Sequence, residues 1–187
     1  MRMTSAENYI ELRDTIAHDW SEFIESVFPN SNYFFIPNIG DKAIKFCENK
    51  NMDLLFLSGG DDIGDFVKRD KTELALLKYM INRGRPVIGI CKGMQLINNY
   101  FGGSISVGND NFIKEHRATM HTISLNGSNV QVNSYHNNKI NETNLNKVFS
   151  VIGRNISDNS IEAFVDENIL GVMWHPEREK PCSKHTI

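Results

Sequence analysis

One cysteine of this chain stands in a sequence context that suits a nucleophile. Cys91 lies between Gly89 and Gly93 and follows an apolar run that starts after Pro86. The run predicts a buried strand and residues 94–100 predict a helix, so Cys91 occupies the turn between the two. Such a turn strains the backbone of its central residue, and the start of a helix favours the thiolate form of a thiol.

A cysteine nucleophile needs a base and a group that orients the base. The candidates are His175 and Glu177, which follow an apolar strand predicted over residues 169–174 and are separated by Pro176. Neighbouring strand ends of one sheet bring such residues close to Cys91. A single histidine after a strand is more often structural. The His-Pro-Glu triplet, in a chain with this cysteine turn, favours a catalytic role.

The elements that must position these residues alternate between helix and strand in the first hundred residues. Apolar residues at three- and four-residue spacing predict a helix over residues 5–28, and a strand is predicted at 33–36. Asp41 is expected to open a second helix, which is followed by a strand at 54–57 and a glycine turn at 58–62. Asp70 and Glu73 form a capping-box pattern for a helix that ends at Gly84.

The alternation breaks in the polar stretch at residues 108–120. Shorter strands are predicted after it, at 121–125, 130–133, 148–152 and 161–165. Asn126-Gly127 is a strong hairpin signal. The chain is therefore predicted to be an α/β protein, and its 187 residues suit one domain over positions 1–187.

The composition excludes several classes of partner. Hydrophobic residues make up 40% and charged residues 23%, and the net charge of −3 gives no reason to expect nucleic acid or an anionic membrane. No apolar run approaches the roughly 20 residues of a membrane span and no signal peptide is visible, so a cytoplasmic location is expected. Cys47, Cys91 and Cys182 lack disulfide or metal-site spacing, and Cys47 and Cys182 are expected to be a packing and a surface thiol.

Three motifs resemble the class I glutamine amidotransferase-like proteins, in particular the γ-glutamyl hydrolase branch, peptidase family C26. They are Gly89-Ile90-Cys91-Lys92-Gly93-Met94-Gln95, Ser58-Gly59-Gly60 and Trp174-His175-Pro176-Glu177, and residues 8–14, 18–20 and 36–38 are similar to the same branch. The resemblance implies a three-layer sandwich with a mostly parallel central sheet, a flavodoxin-like core and a small antiparallel addition. It also implies a strand before Met1 and further structure after Lys184.

The same resemblance implies roles for the motif residues. Cys91 is the nucleophile, His175 the general base and acid, and Glu177 the group that orients the imidazole. The backbone N–H groups of Gly60 and Lys92 form the oxyanion hole, as a glycine turn and the residue after an elbow nucleophile are able to do. No metal and no organic cofactor is expected.

Further contacts to a glutamyl group are implied for Gly59, Gln95 and the segment Ser134-Tyr135-His136. Each side chain has a plainer alternative. Gln95 is otherwise an exposed helical residue, and Tyr135 and His136 are otherwise a polar cluster at the end of a strand.

The leaving group of the substrate stays open between polyamine, amino acid, folate and nucleotide amidate. The Lys92 side chain either faces an anionic leaving group or is solvated. Residues His116, Arg117 and His121 are candidates for the border of the leaving-group pocket. The carboxylates at 61, 62 and 65 are expected to be solvated loop residues and not a metal site.

The predicted activity is hydrolysis of a small-molecule γ-glutamyl amide through a cysteine thioester. One alternative is a glutaminase subunit that passes ammonia to a synthetase partner. Another is a catalytically inactive regulatory protein on the same fold. The oligomeric state is left between monomer and homodimer.

Overall fold

The computed structural model describes residues 1–6, 8–9, 11–48 and 50–180, so Cys182 and the region after Lys184 lie outside it. The chain starts with strands β1 (Arg2–Ser5) and β2 (Leu12–Thr15), followed by helices α1 (Asp19–Val27) and α2 (Lys42–Glu48). Next come β3 (Leu55–Leu57), α3 (Val67–Ile81), β4 (Val87–Ile90) and α4 (Lys92–Tyr100). The remaining elements are β5 (Ser106–Val107), α5 (Asp110–His116), β6 (Arg117–Leu125), β7 (Ser128–Tyr135), β8 (Asn138–Lys139), β9 (Ser150–Asn155), β10 (Ile161–Asp166), β11 (Ile169–Val172) and a short 3₁₀ helix, Pro176–Arg178.

A seven-stranded sheet in the order β3-β4-β11-β10-β9-β6-β7 forms the centre of the molecule. The pairs β3–β4 and β4–β11 are parallel, and the other neighbouring pairs are antiparallel. The α/β class is confirmed, but the sheet is mixed where a mostly parallel one was predicted. Short connections such as Asn126-Gly127 between β6 and β7 allow only antiparallel pairing, because a parallel pair needs a crossover of a dozen or more residues.

Helices cover both faces of the parallel part of the sheet. Strand β4 is buried along its whole length. On one face Trp20 and Phe23 of α1 pack in a cluster with Ile88. On the other face, residues of α2, α3 and α4 pack in a second cluster that includes Val87. This gives the expected three layers.

The predicted helix over residues 5–28 is wrong before Asp19. Strands β1 and β2 pair antiparallel there, and Leu12, which was counted in the apolar stripe, is 63% exposed. The Asp14 carboxylate accepts hydrogen bonds from the backbone N–H of Asn38 (2.9 Å) and from its side-chain amide (2.7 Å). These long-range bonds hold residue 14 in the strand. The apolar spacing is correct only for the part that became α1.

The predicted strand at residues 33–36 is not formed. This segment and β3 both line a cavity of about 450 Å³. A strand requires a hydrogen-bonded neighbour, and among the described strands the edge strand β3 pairs only with β4. Apolar side chains including Trp20, Phe35 and Phe56 line this cavity.

Two further predictions need correction. Helix α3 starts at Val67, so Asp70 and Glu73 lie inside it and do not cap it. Their carboxylates instead bind the Lys92 ammonium. The polar stretch expected to be irregular contains α5, whose first turn is capped by the Asn109 side chain accepting from the N–H of Phe112 at 3.0 Å.

Candidate active site

Cys91 occupies a sharp turn between β4 and α4. Its φ of 51° and ψ of −107° are the strained backbone angles expected at this position. The glycines on either side allow the close packing of the turn. A Cβ atom on Gly93 would lie 2.1 Å from the carbonyl oxygen of Leu57, and one on Gly89 would lie 2.5 Å from Cδ1 of Ile97. The turn therefore holds the thiol at a fixed place at the edge of the sheet.

His175 and Glu177 follow β11, which pairs in parallel with β4. Cys91 and His175 consequently leave adjacent strands at the same edge of the sheet. The His175 ring and the Cys91 side chain lie close together, since a Cβ atom placed on Gly59 would contact both of them. Its Nδ1 atom lies 2.7 Å from Oε1 of Glu177. All three residues are buried, with 6%, 3% and 5% of their surface exposed. The structure thus brings the three predicted residues into one chain of contacts.

The protonation of His175 is set by its two partners. Burial lowers the pKa of His175, but hydrogen bonds with Cys91 and Glu177 and their negative charges outweigh burial and raise the pKa to about 9. His175 is therefore an imidazolium at neutral pH. A neighbouring imidazolium favours the thiolate form of cysteine, which is the nucleophilic form.

Asn133 on β7 fixes the backbone of His175. Its side-chain oxygen accepts from the N–H of His175 at 2.9 Å, and its amide group donates to the carbonyl of His175 at 2.8 Å. The Tyr135 ring lies edge-on to the imidazole, with 5.6 Å between ring centroids. Sequence reasoning missed Asn133, because an asparagine within a strand carries no signal for a contact made 42 residues away.

The loop after β3 approaches the side chains of both Cys91 and His175. A Cβ atom on Gly59 would lie 2.5 Å from Cε1 of His175 and 3.3 Å from Cβ of Cys91. Gly60 has a φ of 140°, which side chains rarely adopt. Arg69 donates to the carbonyls of Ser58 (2.8 Å) and Gly59 (2.9 Å). Because the C=O and N–H of a trans peptide point in opposite directions, the N–H of Gly60 points away from Arg69.

The model of the peptidase C26 family matches residues 12–177, which include the whole of this constellation. The chain belongs to the peptidase C26 family. It is 31% identical to γ-glutamyl-CDP-amidate hydrolase of Campylobacter jejuni subsp. jejuni over 95% of this chain and 88% of that protein. It is 30% identical to the carbamoyl phosphate synthase small chain of Helicobacter pylori over 79% of this chain and 38% of that protein.

The fold of this peptidase C26 member is shared with solved glutamine amidotransferases. One from Thermotoga maritima has a TM-score of 0.57 and 17% identity, over 78% of this chain and 74% of that one. The family and the fold inferred from the three motifs are therefore confirmed. No helix in the described ranges is long and apolar enough to cross a membrane.

Lys92 behaves differently from both expectations for its side chain. The ammonium is buried and binds Oδ1 of Asp70 at 2.6 Å and Oε2 of Glu73 at 2.5 Å. The other oxygen of Glu73 binds Nε of Arg69 at 2.7 Å. The side chain is neither solvated nor directed at a leaving group. This ion-pair chain instead links the residue after the nucleophile to Arg69, which holds the glycine loop.

The remaining predicted contacts are only partly brought to the site. Gln95 is buried, so the exposed alternative is wrong, and its amide lies 3.6 Å from the sulfur of Met173. The Ser134 hydroxyl donates to the carbonyl of His116 at 2.5 Å. Tyr135 borders the His175 ring. The His136 side chain is buried in a polar cluster, as its alternative interpretation had it.

The structure does not place the predicted leaving-group residues together. His116 and His121 are in ring contact with 4.8 Å between centroids, inside the cluster that contains His136, whereas Arg117 is exposed. The loop carboxylates have protein partners. Asp61 binds Arg2 at 2.7 Å, and the backbone N–H of Asp62 donates to the Asp65 carboxylate at 3.1 Å.

Proposed function

We propose that this protein hydrolyses a γ-glutamyl amide bond through a thioester on Cys91 and releases glutamate. The observation that carries the proposal is the grouping of Cys91, on its strained turn, with His175 and Glu177 at the ends of the paired strands β4 and β11. Membership of the peptidase C26 family and the similarity to a γ-glutamyl-CDP-amidate hydrolase support the same reaction.

In the first half of the reaction, the Cys91 thiolate attacks the δ-carbonyl carbon of the γ-glutamyl group. The backbone N–H groups of Gly60 and Lys92 stabilise the negative oxygen that forms. Loss of one such donor typically costs on the order of a hundredfold in rate. His175 then donates its proton to the departing nitrogen, the C–N bond breaks and the thioester remains.

In the second half, His175 is neutral and accepts a proton from water as the water attacks the thioester. The bond to Glu177 holds the imidazole in the correct orientation and stabilises its charged form. Collapse of the second tetrahedral intermediate expels the Cys91 thiolate and frees glutamate. Gly59, Gln95 and the backbone of the segment Ser134-Tyr135-His136 are the proposed neighbours of the glutamyl group. Neither half requires a cofactor.

The proposed substrate is γ-glutamyl-CDP-amidate, the intermediate of capsule phosphoramidate synthesis. The relative from Campylobacter jejuni carries that substrate in its name and aligns with nearly all of this chain. The leaving group would then be an anionic nucleotide amidate. Lys92 does not supply its counter-charge, because the Lys92 ammonium is already bound to two carboxylates.

The experiment is a panel of γ-glutamyl amides, with the nucleotidyl amidate, a polyamine, an amino acid and a folate as leaving groups. Released glutamate is measured with the purified chain. We expect turnover with the nucleotidyl amidate and its loss in Cys91→Ala, whereas Cys47→Ala, which changes the other described cysteine, retains activity. Activity equal on every other amide and absent on the nucleotidyl amidate would reject the substrate. Absence of an acyl-enzyme with all of them would reject the reaction.

A second candidate is a glutaminase subunit that supplies ammonia to a synthetase. The similarity to a carbamoyl phosphate synthase small chain favours it, although the matched part is 38% of that protein. Glutamine turnover that depends on an added synthetase partner would establish this function in place of the first. A regulatory protein without activity would show no turnover with any substrate.

We also infer that residues 1–187 form a single domain that works in the cytoplasm as a monomer or homodimer. One hydrophobic cluster on each face of a single sheet supports one domain. Limited proteolysis that yields two stable fragments would contradict it. Light scattering after gel filtration determines the number of subunits.

A further inference from the structure

A group of titratable side chains that the proposed reaction does not use lies beside β7, the strand that carries Asn133. This histidine cluster consists of His116, His121, His136, Asp158 and Glu162. The residues come from the end of α5, from β6, from the segment after β7, and from β10 and the turn before it. His116, His136 and Glu162 are 1%, 3% and 0% exposed.

Hydrogen bonds to partners around the cluster determine which ring nitrogens of His116 and His136 carry a proton and which carry a lone pair. Nδ1 of His136 lies 2.8 Å from the carbonyl oxygen of Asn138, which only accepts, so Nδ1 carries the proton. Nε2 of His116 lies 3.2 Å from the carboxylate of Asp158 and carries its proton for the same reason. In the neutral rings, Nε2 of His136 and Nδ1 of His116 are both acceptors.

Those two acceptor atoms face each other at 3.3 Å. Two lone pairs at this separation repel unless a cation or a proton lies between them. Oε1 of Glu162 completes a triangle, 3.9 Å from Nδ1 of His116 and 3.6 Å from Nε2 of His136. One nitrogen pair and one carboxylate oxygen thus converge on a common point.

The size of the triangle matches a metal site. A point equidistant from three atoms at separations of 3.3, 3.6 and 3.9 Å lies about 2.1 Å from each, the usual length of Zn–N and Zn–O bonds. Buried polar atoms around this triangle also lack hydrogen-bond partners. Both ring nitrogens of His121 and Oε2 of Glu162 are buried without a hydrogen-bond partner, although Nε2 of His121 is 3.5 Å from that oxygen.

We propose that the histidine cluster binds one divalent transition-metal ion of the Zn²⁺ class. The ligands are Nδ1 of His116, Nε2 of His136 and Oε1 of Glu162, with His121 beside the carboxylate. Imidazole with one carboxylate suits Zn²⁺ and its transition-metal neighbours better than Mg²⁺ or Ca²⁺. Asp158 and the carbonyl of Asn138 are the outer partners that orient ligating histidines in metal sites.

The ion acts on the catalytic site through β7. His136 follows this strand directly, and Asn133, three positions earlier, holds the backbone of His175 by two hydrogen bonds. An ion that ties the end of β7 to α5 and β10 restricts the motion of the strand. It is therefore a positioning metal, and no step of the proposed reaction passes through it.

The sequence predicted no metal. The three proposed ligands, His116, His136 and Glu162, are separated by 20 and 26 positions and form none of the short spacings by which metal sites are recognised. The acidic loop that was considered, residues 61–65, is not part of the cluster.

The test measures metal binding by the full chain carrying Cys91→Ala, because the native pair of Cys91 and His175 is itself able to bind Zn²⁺. The protein is stripped with chelator, given Zn²⁺ and desalted, and its metal content is determined by elemental analysis. We expect about one equivalent, and tetrahedral absorption bands when Co²⁺ is used. At a hundred times the Kd, bound Zn²⁺ is expected to raise Tm by about 5–10 °C.

The matched variants are His136→Ala and Glu162→Gln, compared with His18→Ala, whose side chain is 86% exposed. The first two are expected to lose the ion and the Tm shift, and His18→Ala to keep both. The proposal is overturned if the chelator-treated Cys91→Ala protein stays folded, binds no added Zn²⁺ and keeps its Tm. A proton would then occupy the space between the two histidine nitrogens. Equal Zn²⁺ binding in His136→Ala would also overturn the proposal.

Discussion

Gly59→Ala tests whether the close approach of the glycine loop positions the imidazole of His175, the proposed general acid and base. The new methyl group would lie 2.5 Å from Cε1 of His175 and 3.3 Å from its Nε2. An ordinary carbon contact is about 3.5–4.0 Å, so one partner must move by about 1 Å. The imidazole is held by Glu177 at 2.7 Å and the His175 backbone by Asn133, so movement of the ring weakens a contact that the proposed reaction needs.

A misplacement of about 1 Å costs on the order of a hundredfold in rate. We therefore expect kcat of Gly59→Ala to fall about a hundredfold for γ-glutamyl amide hydrolysis, measured by glutamate release. Gly59 does not have a left-handed φ, so the substitution adds no backbone strain of its own.

The matched control is Gly84→Ala at the end of α3. Its φ of 60° makes alanine unfavourable, but a Cβ atom there meets nothing within 4 Å. We expect this variant to lose about 1 kcal/mol of stability and to keep its kcat. If Gly59→Ala retains more than half of the native kcat while remaining folded, the loop does not constrain His175 and the geometric reasoning is refuted.

Three other substitutions test separate parts of the structure. Glu177→Gln removes one cause of the raised pKa of His175, which is about 9 in the native protein. The fall of kcat/KM at alkaline pH, where His175 loses its proton, is therefore expected to move to lower pH. An unchanged pH profile would contradict this expectation. Lys92→Met leaves the half-buried Asp70 carboxylate without its cation and Glu73 with Arg69 alone, and it is expected to cost about 3 kcal/mol in urea unfolding, whereas Lys180→Ala on the surface leaves the midpoint unchanged. Phe23→Ala, at a residue only 2% exposed, is expected to cost about 3–5 kcal/mol, and a loss below 1 kcal/mol would place α1 outside the core.

The grouping of Cys91 with His175 and Glu177 was predictable from the sequence because these residues lie at the ends of parallel strands. An apolar run followed by Cys91 and another followed by His175 are local signals, and parallel pairing of β4 with β11 makes them neighbours. The glycine loop is also close to Cys91 for this reason, because it follows β3, which is parallel to β4. Resemblance to a known family then supplied roles that spacing alone does not give.

Contacts between distant positions were not accessible. Asn133 and the histidine cluster depend on the register of β6 and β7 and on the turn before β10, which no local pattern encodes. The helix predicted over residues 5–28 failed because Leu12 happened to fit the apolar period, and the strand at 33–36 failed because strand formation depends on a neighbour. The sheet is mixed because short connections, such as Asn126-Gly127 between β6 and β7, permit only antiparallel pairing.

The ion-pair chain of Lys92, Glu73 and Arg69 has a consequence for protein engineering. It connects the two backbone segments that carry the proposed oxyanion donors, so a change in α3 alters both at once. Libraries that aim at a new leaving group should therefore keep Arg69 and Glu73 fixed, although neither is a proposed substrate contact. Diversity is better placed at exposed positions such as Arg117 and Tyr135, where a side chain can change without altering this chain of ion pairs.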